Sequence, residues 1–338
     1  MLRLRRATVL VAGPQDAVEQ RLSVEVGGER RTAIADVGLV GPAQPGDELI
    51  VNVEAVELGL GSGGADIVHV NLTRGLDGDG TPGAHVMKLN YTSLQHAVLP
   101  VEEGAADAIP PAPALPLRAP TAVLALHGQL APLAWAFAQA TGGGGRLGYV
   151  QTAGGALPGG HSCVVHELRE SGRLAGHLTA GPAFGGADGE AITTAAALHH
   201  GLAERGWDAA VVGPGPGILG SGSALGHGGL QALDSAHTAL ALGSPTLLVA
   251  RMSSTDGRPR HRGLSHHTRT VLDLLLAPVV VALPAGERPA DARHDWRVLV
   301  TDLDGYAATG LPTRSMGRDD PLFFAAALAA GDVLARMT

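Results

Sequence analysis

The pattern of hydrophobic and polar positions changes once along the chain, near residue 120. Before that point, short runs rich in valine, isoleucine and threonine are separated by turns, and several alternate apolar with polar residues. Such runs predict half-buried β-strands, and several in succession without a long helical period are typical of a small barrel or curled sheet. We therefore expect a β-rich, barrel-like domain over residues 1–98. The predicted strands are ATVLVAG, QRLSVEV, RRTAIADV, ELIVNVEAV and ADIVHVNL.

After residue 120, apolar runs of strand length, such as TAVLAL and PVVVAL, alternate with segments of helical length. Near-continuous apolar strands between helices are typical of a parallel sheet covered on both faces. The pattern predicts a doubly wound, mostly parallel α/β domain of Rossmann-like architecture over residues 121–338. Six prolines from Pro100 to Pro120 predict a linker or strap, residues 99–120, before it.

Composition narrows the function classes. Of the 338 residues, 45% are apolar and 17% charged, which is enough apolar material for a substantial core. The net charge of −8 disfavours a nucleic-acid partner, because duplex binding depends on lysine and arginine neutralising phosphates. No apolar run reaches the roughly 20 residues that span a bilayer. A single cysteine, Cys163, fits a reducing compartment. We expect a cytoplasmic protein that binds neither nucleic acid nor membrane.

Glycines and polar residues concentrate in the loops that follow the predicted parallel strands, whereas the opposite loops (ERGWD, ALGSP and LLLAP) are short and plain. Ligands of parallel sheets bind beyond the carboxyl ends of the strands, so this asymmetry predicts a site at one edge of the sheet. Imidazole alone titrates near neutral pH without perturbation, and a carboxylate can orient it. The candidate catalytic residues in these loops are His127, Asp188, Glu190, His227 and His266.

The segment GPGPGILGSGSALGHGG, residues 213–229, follows one predicted strand. It contains the spacing of a dinucleotide-binding loop, but Pro214 and Pro216 remove backbone donors, so a nicotinamide cofactor is not expected. Two interpretations stay open: backbone donors that bind an anion, or glycines that permit a tight turn and close packing. The loop residues assigned to an anion are Gly217, Gly220, Ser221, Gly222 and Ser223.

Basic side chains offer further ligands for an anion. Arg251, Arg260 and Arg262 follow the next predicted strand, and guanidinium groups bind carboxylate or phosphate through paired hydrogen bonds. Solvated loop arginines are the competing interpretation. Lys88 is the only lysine; it either reaches a ligand or lies on a strand.

A divalent metal is the remaining cofactor hypothesis. Its candidate ligands are His261, His267 and Asp256. The neighbouring residues His266 and His267 project about 100° apart on a helix, so we do not expect them to bind one ion together. The alternative is that Ser265 caps a helix whose first residues are ordinary exposed histidines.

Several long stretches, taken together and in order, resemble one family. The bacterial proteins known as domain of unknown function 3866 are similar over nearly the whole chain. The resemblance implies an intracellular bacterial protein of this architecture and supplies no catalytic residue. The stretches are AHVMKLNYTSLQHAVLPVEE, GPAFGGADGEAI, VVGPGPGILGSGSALGHGG, RHRGLSHHTRTVL and MGRDDPLFFAAALAAG.

The leading hypothesis is an enzyme, a hydrolase or transferase, that acts on a small anionic metabolite at the carboxyl edge of the parallel sheet. The rival is a non-catalytic metabolite-binding or regulatory protein, or a scaffold, whose β domain contacts a partner or a second subunit of a homo-oligomer.

Overall fold

The computed structural model describes residues 1–15, 18–60, 62–102 and 112–338. The chain divides into two compact units, Met1–Leu99 and Pro100–Thr338. Residues 103–111 of the predicted linker 99–120 lie outside the described residues. Within the described part of that segment, Leu117 is buried and its amide donates to the Leu242 carbonyl at 2.8 Å, so this part belongs to the second unit.

The first unit is a closed five-stranded barrel with the strand order β1-β2-β3-β5-β4. Strands β3 and β5 pair in parallel, and the other neighbours pair antiparallel. All five predicted strands are present, so the barrel prediction is confirmed. The strands are β1 (Leu4–Ala12), β2 (Glu19–Val26), β3 (Glu29–Asp36), β4 (Glu48–Asn52) and β5 (Asp66–Asn71), with β6 (Val86–Lys88) and β7 (His96–Val98) as a separate hairpin and α1 (Val37–Val40) and α2 (Glu54–Glu57) as short helices.

Alternation of side chains builds the barrel interior. Leu22, Val24 and Val26 of β2 are buried, while the residues between them are wholly or partly exposed, as the period of two requires. Gly27 and Gly28 have φ of +60° and +85° and form the hairpin turn between β2 and β3. Small aliphatic residues, rather than aromatic ones, therefore fill this core.

The second unit contains an eight-stranded sheet with the order β11-β10-β9-β12-β8-β13-β16-β17, in which neighbours pair in parallel. Its strands are β8 (Thr121–Val123), β9 (Leu147–Thr152), β10 (Gly176–Ala180), β11 (Glu190–Ala191), β12 (Ala209–Pro214), β13 (Thr246–Leu248), β16 (Val280–Pro284) and β17 (Asp295–Leu299). Two small antiparallel ladders stand apart: β14 (Met252–Ser253) with β15 (Gly263–Leu264), and β18 (Arg314–Ser315) with β19 (Arg318–Asp319).

Helices cover both faces of this sheet, which confirms the predicted α/β class. Along β12, Ala209 and Val211 pack into one core with α3, α4, α8 and α9, whereas Ala210 and Val212 pack into another with α5 and α6. None of the helices that the structure describes is long and apolar enough to cross a membrane. The helices are α3 (Leu130–Ala140), α4 (Cys163–Glu170), α5 (Thr194–His199), α6 (Gln231–Ala241), α7 (His266–Leu274), α8 (Leu303–Ala307) and α9 (Pro321–Ala335).

The segment GEAITTAAALHHGLAERG, residues 189–206, has the composition of one long helix, but its helix begins later than that composition predicts. Glu190 and Ala191 join the sheet as β11 instead, and the Thr193 side chain accepts the Ala196 amide at 3.1 Å to start α5. Thr193 has an extended backbone, and a helix begins only after its cap residue, so the residues before Thr193 are not part of α5. Sheet pairing of Glu190 and Ala191 with β10 therefore overrides the helical composition of these residues.

Candidate functional site

The loops that follow β12 and β13 bring four histidines together at the carboxyl edge of the sheet. His227 ends the glycine-rich segment, His261 lies in the loop after β13, and His266 and His267 open α7. Helix α7 begins there because the Ser265 hydroxyl accepts the His267 amide at 3.2 Å, as predicted for a cap. His227, His261 and His267 are buried, and His266 is half-buried.

Each of the four imidazole rings lies beside at least two of the others. The rings of His227 and His267 stack with centroids 3.6 Å apart, and the His266 and His267 centroids are 4.4 Å apart. Ligand atoms of His227, His266 and His267 lie within 4.8 Å of one another. The expectation that adjacent histidines diverge is therefore wrong here, because in the first helical turn no preceding turn restricts their side chains.

Arginines surround a single buried carboxylate beside these rings. Arg258 Nη2 and Arg318 Nη2 lie 2.8 Å and 3.0 Å from Asp256 Oδ2, and Arg251 Nη2 is farther, at 3.8 Å. Arg251 is itself 3% exposed, and its Nη1 donates to His267 Nδ1 at 2.7 Å. One carboxylate is thus the counter-ion of three guanidinium groups. The buried guanidinium, that of Arg251, lies farthest from it and is the least well neutralised.

Burial and the neighbouring charges lower the pKa values of Asp256 and of the four histidines. The Arg258 hydrogen bond holds the pKa of Asp256 well below its usual range. Burial, and then the positive charge of Arg251, lower the pKa of His267 to about 2 and that of His261 to about 4. Burial also lowers the pKa of His227 and of His266. All four imidazoles are therefore uncharged at neutral pH.

Several ring nitrogens in this cluster have no hydrogen-bond partner. Both ring nitrogens of His227 and Nε2 of His266 are buried without a partner of good geometry. The Ala224 carbonyl is near enough to His227 to favour its protonated form, but burial outweighs this effect on the pKa. Unpaired buried polar atoms cost about 1–3 kcal/mol each, so a group that formed hydrogen bonds with these nitrogens would be stabilised here.

The chemistry of this cluster favours an anion over a metal ion. An arginine only donates hydrogen bonds, so His267 Nδ1 is the acceptor and the neutral ring carries its proton on Nε2. That ring then has no free lone pair for a metal unless the Arg251 contact breaks. This place also has an excess of positive charge, because four guanidinium groups lie near two carboxylates. The guanidinium groups belong to Arg251, Arg258, Arg260 and Arg318, and the carboxylates to Asp256 and Asp320.

A family model described as "Protein of unknown function (DUF3866)" matches residues 32–331. The chain belongs to the DUF3866 family. No curated protein and no solved structure matches it. The matched region contains the whole of the histidine and arginine cluster, and the description of DUF3866 names no activity. This cluster consists of His227, His261, His266, His267, Arg251, Arg258, Arg318 and Asp256.

The glycine-rich segment of this DUF3866 chain folds on itself. The amide and hydroxyl of Ser221 both donate to the Gly226 carbonyl at 2.8 Å, and the Ser223 amide donates to the Ser221 hydroxyl at 3.2 Å. Gly220 pairs with His227 as an isolated bridge. Two of the amides assigned to an anion are thus engaged within the exposed loop. Its clearest contribution is to place His227.

The predicted carboxylates lie at another part of the same edge. Asp188 Oδ1 accepts from Arg169 at 3.0 Å and Oδ2 accepts the His177 amide at 2.8 Å. Glu190 Oε1 accepts the Gly185 amide at 3.0 Å. Both acids hold the loop between β10 and β11, so they do not orient the clustered histidines.

The remaining predicted residues divide between the cluster and other places. Arg262 Nε donates to the Asp256 carbonyl at 3.0 Å, while Arg260 is exposed and acts on Arg251 and His266 through its charge. Lys88 belongs to the first unit, where it is buried on β6. His127 lies apart from the cluster, in the loop after β8, where its ring nitrogens contact Ser162 and Tyr149.

Sequence reasoning missed Arg258, Arg318 and Asp320. Arg318 lies 62 residues from the carboxylate that it contacts, and Asp320 accepts the Ser254 amide at 2.8 Å. Asp320 also accepts from the Ser253 hydroxyl, which in turn accepts the Asp256 amide. The one available signal was MGRDDPLFF, a stretch that carried the family resemblance but followed no strand of the main sheet.

Proposed function

We propose that this protein binds a small anionic metabolite, phosphorylated or carboxylated, at the histidine and arginine cluster and acts on it as a hydrolase or transferase. The observation that carries the proposal is Arg251: a buried guanidinium, 3.8 Å from a carboxylate that two other arginines hold more closely. Such a group gains most from an anion that enters beside it.

The histidines supply the chemistry in this proposal. His227 and His266 have unpaired nitrogens at the cluster and are neutral at pH 7. An anion within about 4–6 Å favours the protonated form of an imidazole, so binding brings their pKa values back towards neutrality. Each ring then exchanges a proton near the operating pH, which is the condition for general acid or base catalysis.

Titration with inorganic phosphate tests the binding step. Phosphate at about 100 times its dissociation constant adds about 2.7 kcal/mol to the free energy of unfolding of the wild type. Arg251→Met removes this gain, and Arg297→Met, which alters an exposed arginine paired with Asp295 on β17, keeps it. Equal stabilisation of both variants, or none in the wild type, overturns the proposal.

Elemental analysis tests the preference for an anion over a metal. The nitrogens of His227, His266 and His267 are close enough to hold one divalent ion. We expect protein purified without chelators to contain no stoichiometric divalent ion, because the guanidinium groups repel it. If one equivalent of zinc or another divalent ion is found, this site binds a metal and the preference for an anion is wrong.

Non-catalytic binding of the same metabolite is the second candidate. It is favoured by one observation: among the described residues, no carboxylate hydrogen-bonds to any of the four clustered histidines. Incubation with the phosphate esters and carboxylates that bind, followed by mass spectrometry, separates the two. An enzyme converts its ligand and His266→Gln stops the conversion, whereas a binding protein returns the ligand unchanged.

We place this activity in the cytoplasm. The support is compositional: the single cysteine, Cys163, is a free and exposed thiol, which suits a reducing compartment.

A further inference from the structure

Three side chains outside the cluster form a buried chain of hydrogen bonds: Ser162, His127 and Tyr149. Ser162 Oγ lies 2.7 Å from His127 Nε2, and Tyr149 Oη lies 3.3 Å from His127 Nδ1. The serine is 5% exposed, the histidine 8% and the tyrosine fully buried. His127, in the loop after β8, thus links the start of α4 to the middle of β9.

The partners at the two ends of this chain determine where its protons lie. Tyr149 Oη is 3.0 Å from the Pro214 carbonyl and 3.2 Å from the Gly213 carbonyl, and carbonyls only accept, so the phenol proton points to them. The phenol oxygen therefore accepts from His127 Nδ1–H. This leaves a lone pair on His127 Nε2, which faces the serine.

The serine hydroxyl is directed by the same logic. The Val165 amide donates to Ser162 Oγ at 3.2 Å, as expected for a residue that caps α4. With that acceptor site filled from the helix, the hydroxyl proton points to His127 Nε2. Burial lowers the pKa of His127 to about 4, so the ring is neutral and able to take this proton. A serine, a neutral base and a third group that sets the tautomer make up an activated nucleophile.

We propose that Ser162 is a catalytic nucleophile for an ester or thioester substrate, with His127 as its base and Tyr149 as the positioning residue. Ser162 Oγ bonds to the acyl carbon as its proton moves to His127 Nε2, and the alcohol or thiol leaves with that proton. Water then attacks the acyl-serine, its proton passes through His127 to Ser162 Oγ, and the carboxylic acid departs.

The start of α4 suits the charge that develops in these steps. Cys163 and Val164 are the first helical residues, and the amides of a first turn have no partner within their helix. They lie next in the chain to the nucleophile, where a tetrahedral oxyanion needs donors. This site shares no residue with the histidine and arginine cluster, so the inference holds or fails independently of the anion proposal.

Labelling of the full-length protein with an alkyl fluorophosphonate, followed by intact mass and peptide mapping, tests the inference. We expect one adduct, on Ser162. Ser162→Asn keeps an oxygen that caps α4 but removes the nucleophile, so the adduct disappears. Cys163→Ala removes the neighbouring exposed thiol, and the adduct remains on Ser162, which shows that the thiol is not the labelled group. His127→Gln lowers the labelling rate by about 10²-fold or more, in the range of general-base effects.

Tyr149→Phe separates a positioning role from a structural one. Without the phenol acceptor, only the Pro214 carbonyl holds the proton of His127 on Nδ1, so the tautomer is fixed less firmly and the pH profile of labelling changes as well as its rate. No adduct on the wild type, or an adduct at another residue, overturns the inference even if Ser162→Asn does not fold. Phosphate stabilisation, measured on the same Ser162→Asn protein, stays at the wild-type value and so reports separately on the anion site.

Discussion

Two groups of side chains at the carboxyl edge of one sheet contain buried histidines, one of them His127 alone and the other the four clustered rings, and they differ in what the ring nitrogens contact. His127 and His261 each have a pKa near 4, with burial as the first cause in both. His127 has neutral hydroxyl partners on both nitrogens, whereas His261 and His267 also feel the charge of Arg251. Burial lowers the pKa of the imidazole in both places, whereas the neighbouring groups determine whether a positive charge lowers it further.

Removing the carboxylate of the arginine cluster should have the largest effect on this comparison. Asp256→Asn leaves a buried guanidinium without its counter-charge, which costs about 3–5 kcal/mol of unfolding free energy. Asp295→Asn breaks an exposed pair with Arg297 and costs at most about 1 kcal/mol. Urea denaturation of both variants measures the difference, and a similar loss in the two would mean that the cluster is not held by charge.

Acid should destabilise the protein through both histidine groups. The pKa of His127 falls from 6.5 in the unfolded chain to about 4 in the folded one. The unfolded state then binds the proton first, so stability is complete above pH 6.5 and declines as the pH falls to 4. His127 alone contributes on the order of 3 kcal/mol to this decline.

The two groups should respond differently to phosphate during that acid titration. Bound anion favours the protonated rings of the cluster and reduces its share of the decline, while His127 is unaffected. Unfolding free energies from pH 7 to 4, with and without phosphate, measure this for the wild type and His127→Gln. The prediction is wrong if phosphate flattens the profile of the wild type completely.

Loss of the phenol hydroxyl should have an intermediate effect. Tyr149→Phe removes the phenol oxygen that accepts from His127 Nδ1–H and leaves that proton only the Pro214 carbonyl, and the loss of one such hydrogen bond costs about 0.5–1.5 kcal/mol. Phosphate binding should remain at the wild-type value, because no clustered residue is touched. Chemical denaturation and phosphate titration of the variant check the two parts, and a weakened phosphate affinity would join the two groups into one site.

The smallest effect is expected in the most conspicuous stretch of the sequence. Ser221 is exposed and bonds only within its own loop, so Ser221→Ala should change stability by about 0.5 kcal/mol or less. Its phosphate affinity should equal that of the wild type. A clear loss of phosphate affinity in Ser221→Ala would mean that the anion binds at the glycine-rich loop and not beside Arg251.

Regular elements followed from periodicity because the alternation of buried and exposed side chains can be read from consecutive residues. The period of two in QRLSVEV places Leu22 and Val24 in the barrel, and the apolar run DAAVV places Ala210 and Val211 on opposite faces of the sheet. Where tertiary pairing competed, as at Glu190 in β11, composition predicted the wrong element. Strand pairing supplies hydrogen bonds that local composition cannot reveal.

The sequence by itself determined two units, a barrel and a parallel sheet, and the edge of that sheet where polar loops collect. Only the tertiary structure decided the partner of each polar side chain there. Arg318 reaches Asp256 across 62 residues and Ser162 reaches His127 across 35. Periodicity records which side of an element is buried, but a hydrogen bond depends on two groups that the folded chain brings within about 3 Å.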